Sequence, residues 1–177
     1  DHHRQVVNCI DNAVLSLHEP YASSASEMVA EVIQYFGYEQ LSSYYADAML
    51  AGIMLDTKDF VMKTGVRTFE AAAYLKKLGA DTVAVKRLFA ISIETGIKRS
   101  QLVETAEIYN RCAIAASEDS SDGIRIATSQ AADELLSIQG VEASFVLFPD
   151  QNGFSISARS LGGMNVQLIM EELGGGG

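Results

Sequence analysis

Residues 143–160 read ASFVLFPDQNGFSISARS, and the reading of this stretch decides the fold class. ASFVLF is rich in aromatic and β-branched residues, which predicts a strand. PDQNG supplies turn residues, with Asn152-Gly153 a strong hairpin dipeptide. On the return, FSISAR alternates: Phe154, Ile156 and Ala158 share one face, and Ser155, Ser157 and Arg159 the other. A β-hairpin therefore sits among segments that read as helices.

Downstream, Val166, Ile169, Met170 and Leu173 form one apolar helical face, stopped by the run Gly174, Gly175, Gly176 and Gly177. Upstream, Ala131–Ile138 predicts a helix through Ala132, Leu135, Leu136 and Ile138. CAIAAS and IRIAT read as short strands either side of the acidic, Ser-rich turn SEDSSDG. KRSQLVETAEIYNRC reads as one helix, polar on one side, of a kind that bridges two lobes. Earlier still the pattern is helical. Ser24 and Glu27 have capping-box spacing, followed by a stripe of Met28, Val29, Val32, Ile33 and Phe36 that ends at Gly37. Further helices are expected over Leu41–Met54, where small residues permit close packing, over Thr68–Leu78 before Gly79, and from about Asp81. No internal repeat is present. The reading is α/β with two lobes: residues 1–98, a linker helix at 99–117, and 118–177.

The 177 residues are 48% hydrophobic and 20% charged, a globular balance. No apolar run approaches the ~20 residues of a membrane span, and neither a signal peptide nor an initiator Met is present. The net charge of −10 disfavours a non-specific binder of duplex nucleic acid, which needs clustered Lys and Arg. A small anion held by a metal and a few placed donors stays compatible. Cys9 and Cys112 lie far apart in apolar settings, which reads as two buried thiols in a reducing cytoplasmic environment.

Three constellations carry possible chemistry. Asp1, His2 and His3 join two imidazoles to a carboxylate that can orient one of them, although terminal histidines are also what a purification remnant leaves. Asp56, in IMLDTKDF, follows a long apolar helix, where an acid is often merely an exposed terminus. Its neighbours Thr57 and Lys58 add a hydroxyl and a cation that suit a phosphate. Ser157, Arg159 and Ser160 precede a glycine run. Arg can fork onto a phosphate and glycine lets backbone amides approach an anion, while a surface Arg and a flexible tail are the plain alternative. His18 reads as a loop histidine, SEDSSD as a solvated turn, and Tyr35, Tyr38, Tyr44 and Tyr45 as packing residues.

Taken in order, DHHRQ, SSASE, AGIMLDTKDF, QAADELL…GVEASFVL and ISARSLGGMNVQLIMEELGGGG resemble the DHH/DHHA1 phosphoesterases, in particular the GdpP-type cyclic-di-AMP phosphodiesterases of Gram-positive bacteria. The resemblance covers nearly the whole chain. It implies the helical second half of a DHH lobe and a small α+β DHHA1 lobe across a cleft. It also implies a cytoplasmic catalytic segment of a membrane-anchored parent, acting in nucleotide signalling. By resemblance, His2 and Asp56 are ligands of a site for two divalent metals, usually manganese. His3 lies close to the scissile phosphate, and Asp1 orients the histidine from outside the ligand set. Ser157, Arg159, Ser160 and the amides of Gly174–Gly177 hold the nucleotide. The activity so implied is metal-dependent hydrolysis of cyclic-di-AMP to linear pApA.

The family's remaining ligands come from motifs upstream of DHH. The chain is therefore expected to be a piece of a longer protein that folds incompletely alone. A nano-RNase acting on short oligonucleotides and an inactive nucleotide-binding module are the alternatives. A homodimer is compatible with all three.

Overall fold

The computed structural model describes residues 1–3, 12–37, 41–121, 123–151 and 153–175. Cys9, Tyr38, Asn152, Gly176 and Gly177 lie outside the described residues. The chain divides into two compact units, Asp1–Ala90 and Ile91–Gly177.

The first unit is helical: α1 (Ala25–Tyr35), α2 (Ser43–Thr57), α3 (Val66–Lys77) and α4 (Thr82–Leu88). Its core is built mostly from small and aliphatic side chains, Ala30, Ala46, Leu50, Ile53, Ala71, Leu75, Ala80 and Val85. Ser24 caps α1 by accepting from the Glu27 N–H at 3.0 Å. The other half of the expected capping box does not form, because the buried Glu27 carboxylate takes the Ser23 hydroxyl instead. The expected apolar stripe is the core face only in part, through the buried Met28 and half-buried Ile33. Val29, Val32 and Phe36 are exposed, and α1 buries Glu27, Met28 and Ala30. Close approach explains the choice, since α2 presents Gly52 directly to Ser26 and bulky residues would hold the helices apart. Tyr35, Tyr44 and Tyr45 are exposed rather than core.

In the second unit α5 (Ile93–Glu104) leads to β1 (Glu107–Tyr109), β2 (Cys112–Ala116), α6 (Ile124–Leu135), β3 (Ala143–Asp150), β4 (Gly153–Ser160) and α7 (Val166–Glu172). The sheet order is β1-β2-β3-β4, and the hairpin read from residues 143–160 is the β3–β4 pair, with Ser144 opposite Arg159 and Val146 opposite Ser157. Two expectations are corrected. IRIAT is not a strand but the start of α6. β2 pairs with β3 in parallel, and a parallel pair needs a crossover that a short turn cannot make. Ile124, Ala127, Ala131 and Leu135 accordingly recur at helical spacing in the core. Nor does one helix run from Lys98 to Cys112. It stops at Glu104, and EIY pairs antiparallel with β2 through Asn110-Arg111, both at positive φ (46° and 66°), the requirement of a two-residue hairpin turn. Helix α5, expected as a connector, packs into this unit through Leu102 and the 2.9 Å Arg99–Glu134 ion pair. Cys112 is half-buried, with its Sγ 4.0 Å from Met164 Sδ.

Gly52 tests the packing of the helical unit. A methyl there would collide with Ser26 Oγ and lie 3.1 Å from its Cβ. Gly52→Ala is expected to lower stability by about 1–3 kcal/mol in urea melts, and an unchanged midpoint would contradict the close α1–α2 contact.

Candidate functional site

The residues singled out by sequence gather into two groups, one in each unit. In the first unit the Asp1–His3 triplet is pinned to the loop before α1. Glu19 N–H donates to Asp1 O at 2.9 Å, Asp1 N donates to Leu17 O at 2.7 Å, and a ring nitrogen of His18 lies 2.5 Å from His3 O. His18 is thus a loop histidine that fixes the triplet. His2 is buried while His3 is exposed, and their rings lie 4.2 Å apart. Asp1 orients His3: its Oδ1 lies 2.8 Å from His3 Nδ1 and accepts the His3 backbone N–H at 3.1 Å.

His2 meets Asp56 across 54 residues of sequence, with Nε2 to Oδ2 at 3.3 Å. Burial and the neighbouring His3 hold the His2 imidazole below its ordinary value, against the pull of Asp56. It is neutral at pH 7 and keeps a lone pair for a metal. Its Nδ1 is buried with no hydrogen-bond partner among the described residues. Two ligands each about 2.0–2.1 Å from one ion lie roughly 3.0–3.4 Å apart, so the pair fits two positions on a single ion. Among the described residues, no group of three or more His, Cys, Asp or Glu can hold a metal. Among those residues the pair offers two ligand positions, and a two-ion set is not present.

The placement of Asp56 depends on its neighbour. α2 runs on through Thr57, so Asp56 lies in its last turn rather than beyond it. Lys58, Asp59 and Phe60 then take positive φ (50°, 56° and 65°), a run that costs of order 1–3 kcal/mol per residue. Several contacts together offset this. Asp59 N–H bonds Met54 O at 2.9 Å, Met62 N–H bonds Thr57 O at 2.7 Å, and the Phe60 ring stacks on Phe69 at 5.5 Å. The Thr57 hydroxyl donates to Ile53 O at 2.7 Å and accepts Phe60 N–H at 3.0 Å. Thr57 is fully buried, so its hydroxyl serves the turn and not, as its place beside Asp56 suggested, a phosphate. Sequence reasoning missed this role because a hydroxyl that closes a turn and one that meets a ligand have the same local sequence.

In the second unit a cavity of about 560 Å³ is lined by Arg125, Ser157, Arg159, Met170, Gly174 and Gly175, among others. Ser157 and Arg159 share a face, as the alternation predicts. Arg159 is already engaged: Nε donates to Asp133 at 3.1 Å, Nη2 to Ser129 at 2.7 Å and Nη1 to Ala158 O at 2.9 Å. Ser160 does not line the cavity; its hydroxyl accepts Gly162 N–H at 3.1 Å and braces the following loop. Gly174, at φ 79°, and Gly175 donate their N–H groups to Glu171 O at 3.0 Å and Met170 O at 2.8 Å. These two amides close α7 and are not turned to an anion. In the SEDSSD turn, the hydroxyl and backbone N–H of Ser121, with Lys98, hold the Asp119 carboxyl down to about 2, so that carboxylate is occupied within the fold.

Residues 108–177 match the DHHA1 domain. Over its whole length the chain is 48% identical to the cyclic-di-AMP phosphodiesterase PdeA of Listeria monocytogenes, covering 27% of that protein. It is likewise 47% identical to the cyclic-di-AMP phosphodiesterase GdpP of Geobacillus thermodenitrificans, covering 27%, and 44% identical to GdpP of Bacillus subtilis, covering 28%. The chain thus spans about a quarter of the curated relatives it matches. A crystal structure of an exopolyphosphatase-related protein from Bacteroides fragilis superposes with TM-score 0.87 at 24% identity, covering all of this chain and 54% of that one, which shows the shared fold. Among the described residues, no helix is long and apolar enough to cross a membrane.

Thr57→Val should remove both turn hydrogen bonds and lower stability by about 1–3 kcal/mol, with Thr57→Ser close to wild type. Equal stability of the valine and serine variants would show that the hydroxyl does not hold the turn.

Proposed function

We propose that the chain belongs to the DHH/DHHA1 phosphoesterases, whose DHHA1 domain its residues 108–177 match, and that it is part of the catalytic region of a metal-dependent phosphodiesterase that hydrolyses cyclic-di-AMP to linear pApA. The observation that carries the reading is the His2–Asp56 pair, two potential ligands brought to 3.3 Å from distant parts of the sequence in a chain 44–48% identical along its length to three cyclic-di-AMP phosphodiesterases.

In this reading His2 and Asp56 each give one ligand to a divalent ion, manganese being our choice, and further ligands complete the two-ion site. Such ions supply Lewis-acid charge to a phosphoryl oxygen and lower the pKa of bound water. The protein's own contributions are distinct. Asp1 holds His3 in one orientation, with the Nδ1 proton toward its carboxylate, leaving Nε2 available near a phosphate. Burial keeps His2 neutral and able to bind metal at physiological pH. The Thr57-braced turn keeps Asp56 beside His2. Ser157 and Arg159 support the nucleotide in the second unit, Arg159 with a guanidinium held flat by Asp133 and Ser129.

The test is manganese-dependent turnover of cyclic-di-AMP and of pApA by the intact protein. His2→Ala and Asp56→Asn are each expected to lower kcat at least about 100-fold, and Arg159→Ala to raise KM with metal binding retained. Near-normal turnover by His2→Ala would remove it from the ligand set. Faster hydrolysis of pApA than of cyclic-di-AMP would replace the proposal with an oligonucleotide-degrading activity.

A further inference from the structure

The second unit carries five cationic side chains, Lys98, Arg99, Arg111, Arg125 and Arg159, and four of them are paired. Lys98 meets Asp119 at 3.1 Å and Glu94 at 3.4 Å. Arg99 meets Glu134 at 2.9 Å, Arg111 meets Glu142, and Arg159 meets Asp133 at 3.1 Å. Arg125 differs. Among the described residues its guanidinium has neither an ion pair nor a hydrogen bond. Its charge reaches the Asp150 carboxylate, which is already taken by Gln151 N–H at 2.6 Å and the Ser155 hydroxyl at 2.9 Å.

Its position sharpens the point. Arg125 lies in the first turn of α6, where no acidic residue offsets it and where the helix dipole disfavours a cation. It lines the same cavity as Ser157 and Arg159. Ser157 makes no side-chain hydrogen bond among the described residues, whereas Arg159 has donors committed to α6. Among the described residues, the cation of this cavity without an ion pair is therefore the exposed Arg125, and the Ser157 hydroxyl, likewise without a partner there, lies in the same wall.

We propose that Arg125 binds a phosphate of the nucleotide held in this cavity, with the Ser157 hydroxyl donating alongside it, and that Arg159 acts mainly to hold the wall of the pocket. The assignment rests on the nucleotide reading of the site but adds a residue to it. A guanidinium suits the role because it can give two parallel charge-assisted hydrogen bonds to one phosphate.

The experiment compares wild type, Arg125→Gln and Arg125→Lys in the intact protein, measuring kcat and KM for cyclic-di-AMP and calorimetric binding of 5′-AMP and of adenosine. Arg125→Gln should raise KM about tenfold and weaken 5′-AMP by a similar factor, with kcat within about twofold. Arg125→Lys should recover part of the loss. Adenosine, which lacks the phosphate, should bind wild type and Arg125→Gln alike, an outcome that a merely structural role would not produce. Unchanged 5′-AMP binding in Arg125→Gln, an equal loss for adenosine, or no 5′-AMP binding by wild type would each overturn the assignment. If wild type binds 5′-AMP through Arg125 yet leaves cyclic-di-AMP intact, the assignment stands and the proposed activity falls.

Discussion

The parallel pairing of β2 with β3 is the constraint on which the second unit depends. Parallel neighbours cannot be joined by a tight turn, so the segment between them has to cross the sheet, and it does so as α6. That crossing buries Ile124, Ala127, Ala131, Ala132 and Leu135 against Ala113, Ala115, Val146 and Phe148. It also carries Arg125, Ser129 and Asp133 over the face on which β4 presents Ser157 and Arg159. The cavity lined by Arg125, Ser157 and Arg159 follows from this crossing: its cations and hydroxyls come from two segments that meet because the connection is helical.

The first unit depends on a different device. Three successive residues in the left-handed region are unfavourable unless the surroundings hold them. Here the Thr57 hydroxyl, the backbone bonds to Met54 and Thr57, and the Phe60–Phe69 stack do so together. One neutral hydrogen bond, at about 1 kcal/mol net, would not suffice alone. The result is a helix end that places Asp56 at His2 while the chain turns sharply away. A burial-lowered imidazole beside a carboxylate suits metal binding, because it keeps the nitrogen lone pair free without requiring high pH.

Much of the element content was legible from local pattern. The β3–β4 hairpin showed in alternation and turn residues, α1 in its Ser24 cap, and α4 in Asp81 before an apolar run. The misreadings share a cause. IRIAT has three β-branched residues in alternation, Ile124, Ile126 and Thr128, which over five residues fit a strand as well as a helix. EIY was absorbed into a helix because three residues carry no period of their own. Of the stripe on α1 the core kept Met28 but not Val29, Val32 or Phe36, because Ala30 and the Gly52–Ser26 contact let the helices close on a neighbouring face. The glycine run was visible too, yet two of its amides cap α7, which composition does not reveal.

The sequence by itself determined the element types of strongly periodic segments, the family resemblance, and the identity of the chemically capable residues, because side-chain spacing and functional groups are local properties. The tertiary structure alone decided which of those groups meet and which are already satisfied. The 3.3 Å His2–Asp56 approach and the engagement of Arg159 by Asp133 and Ser129 depend on contacts between residues tens of positions apart. A hydrogen bond or ion pair is settled over a few ångströms in space, and no spacing along the chain encodes that distance.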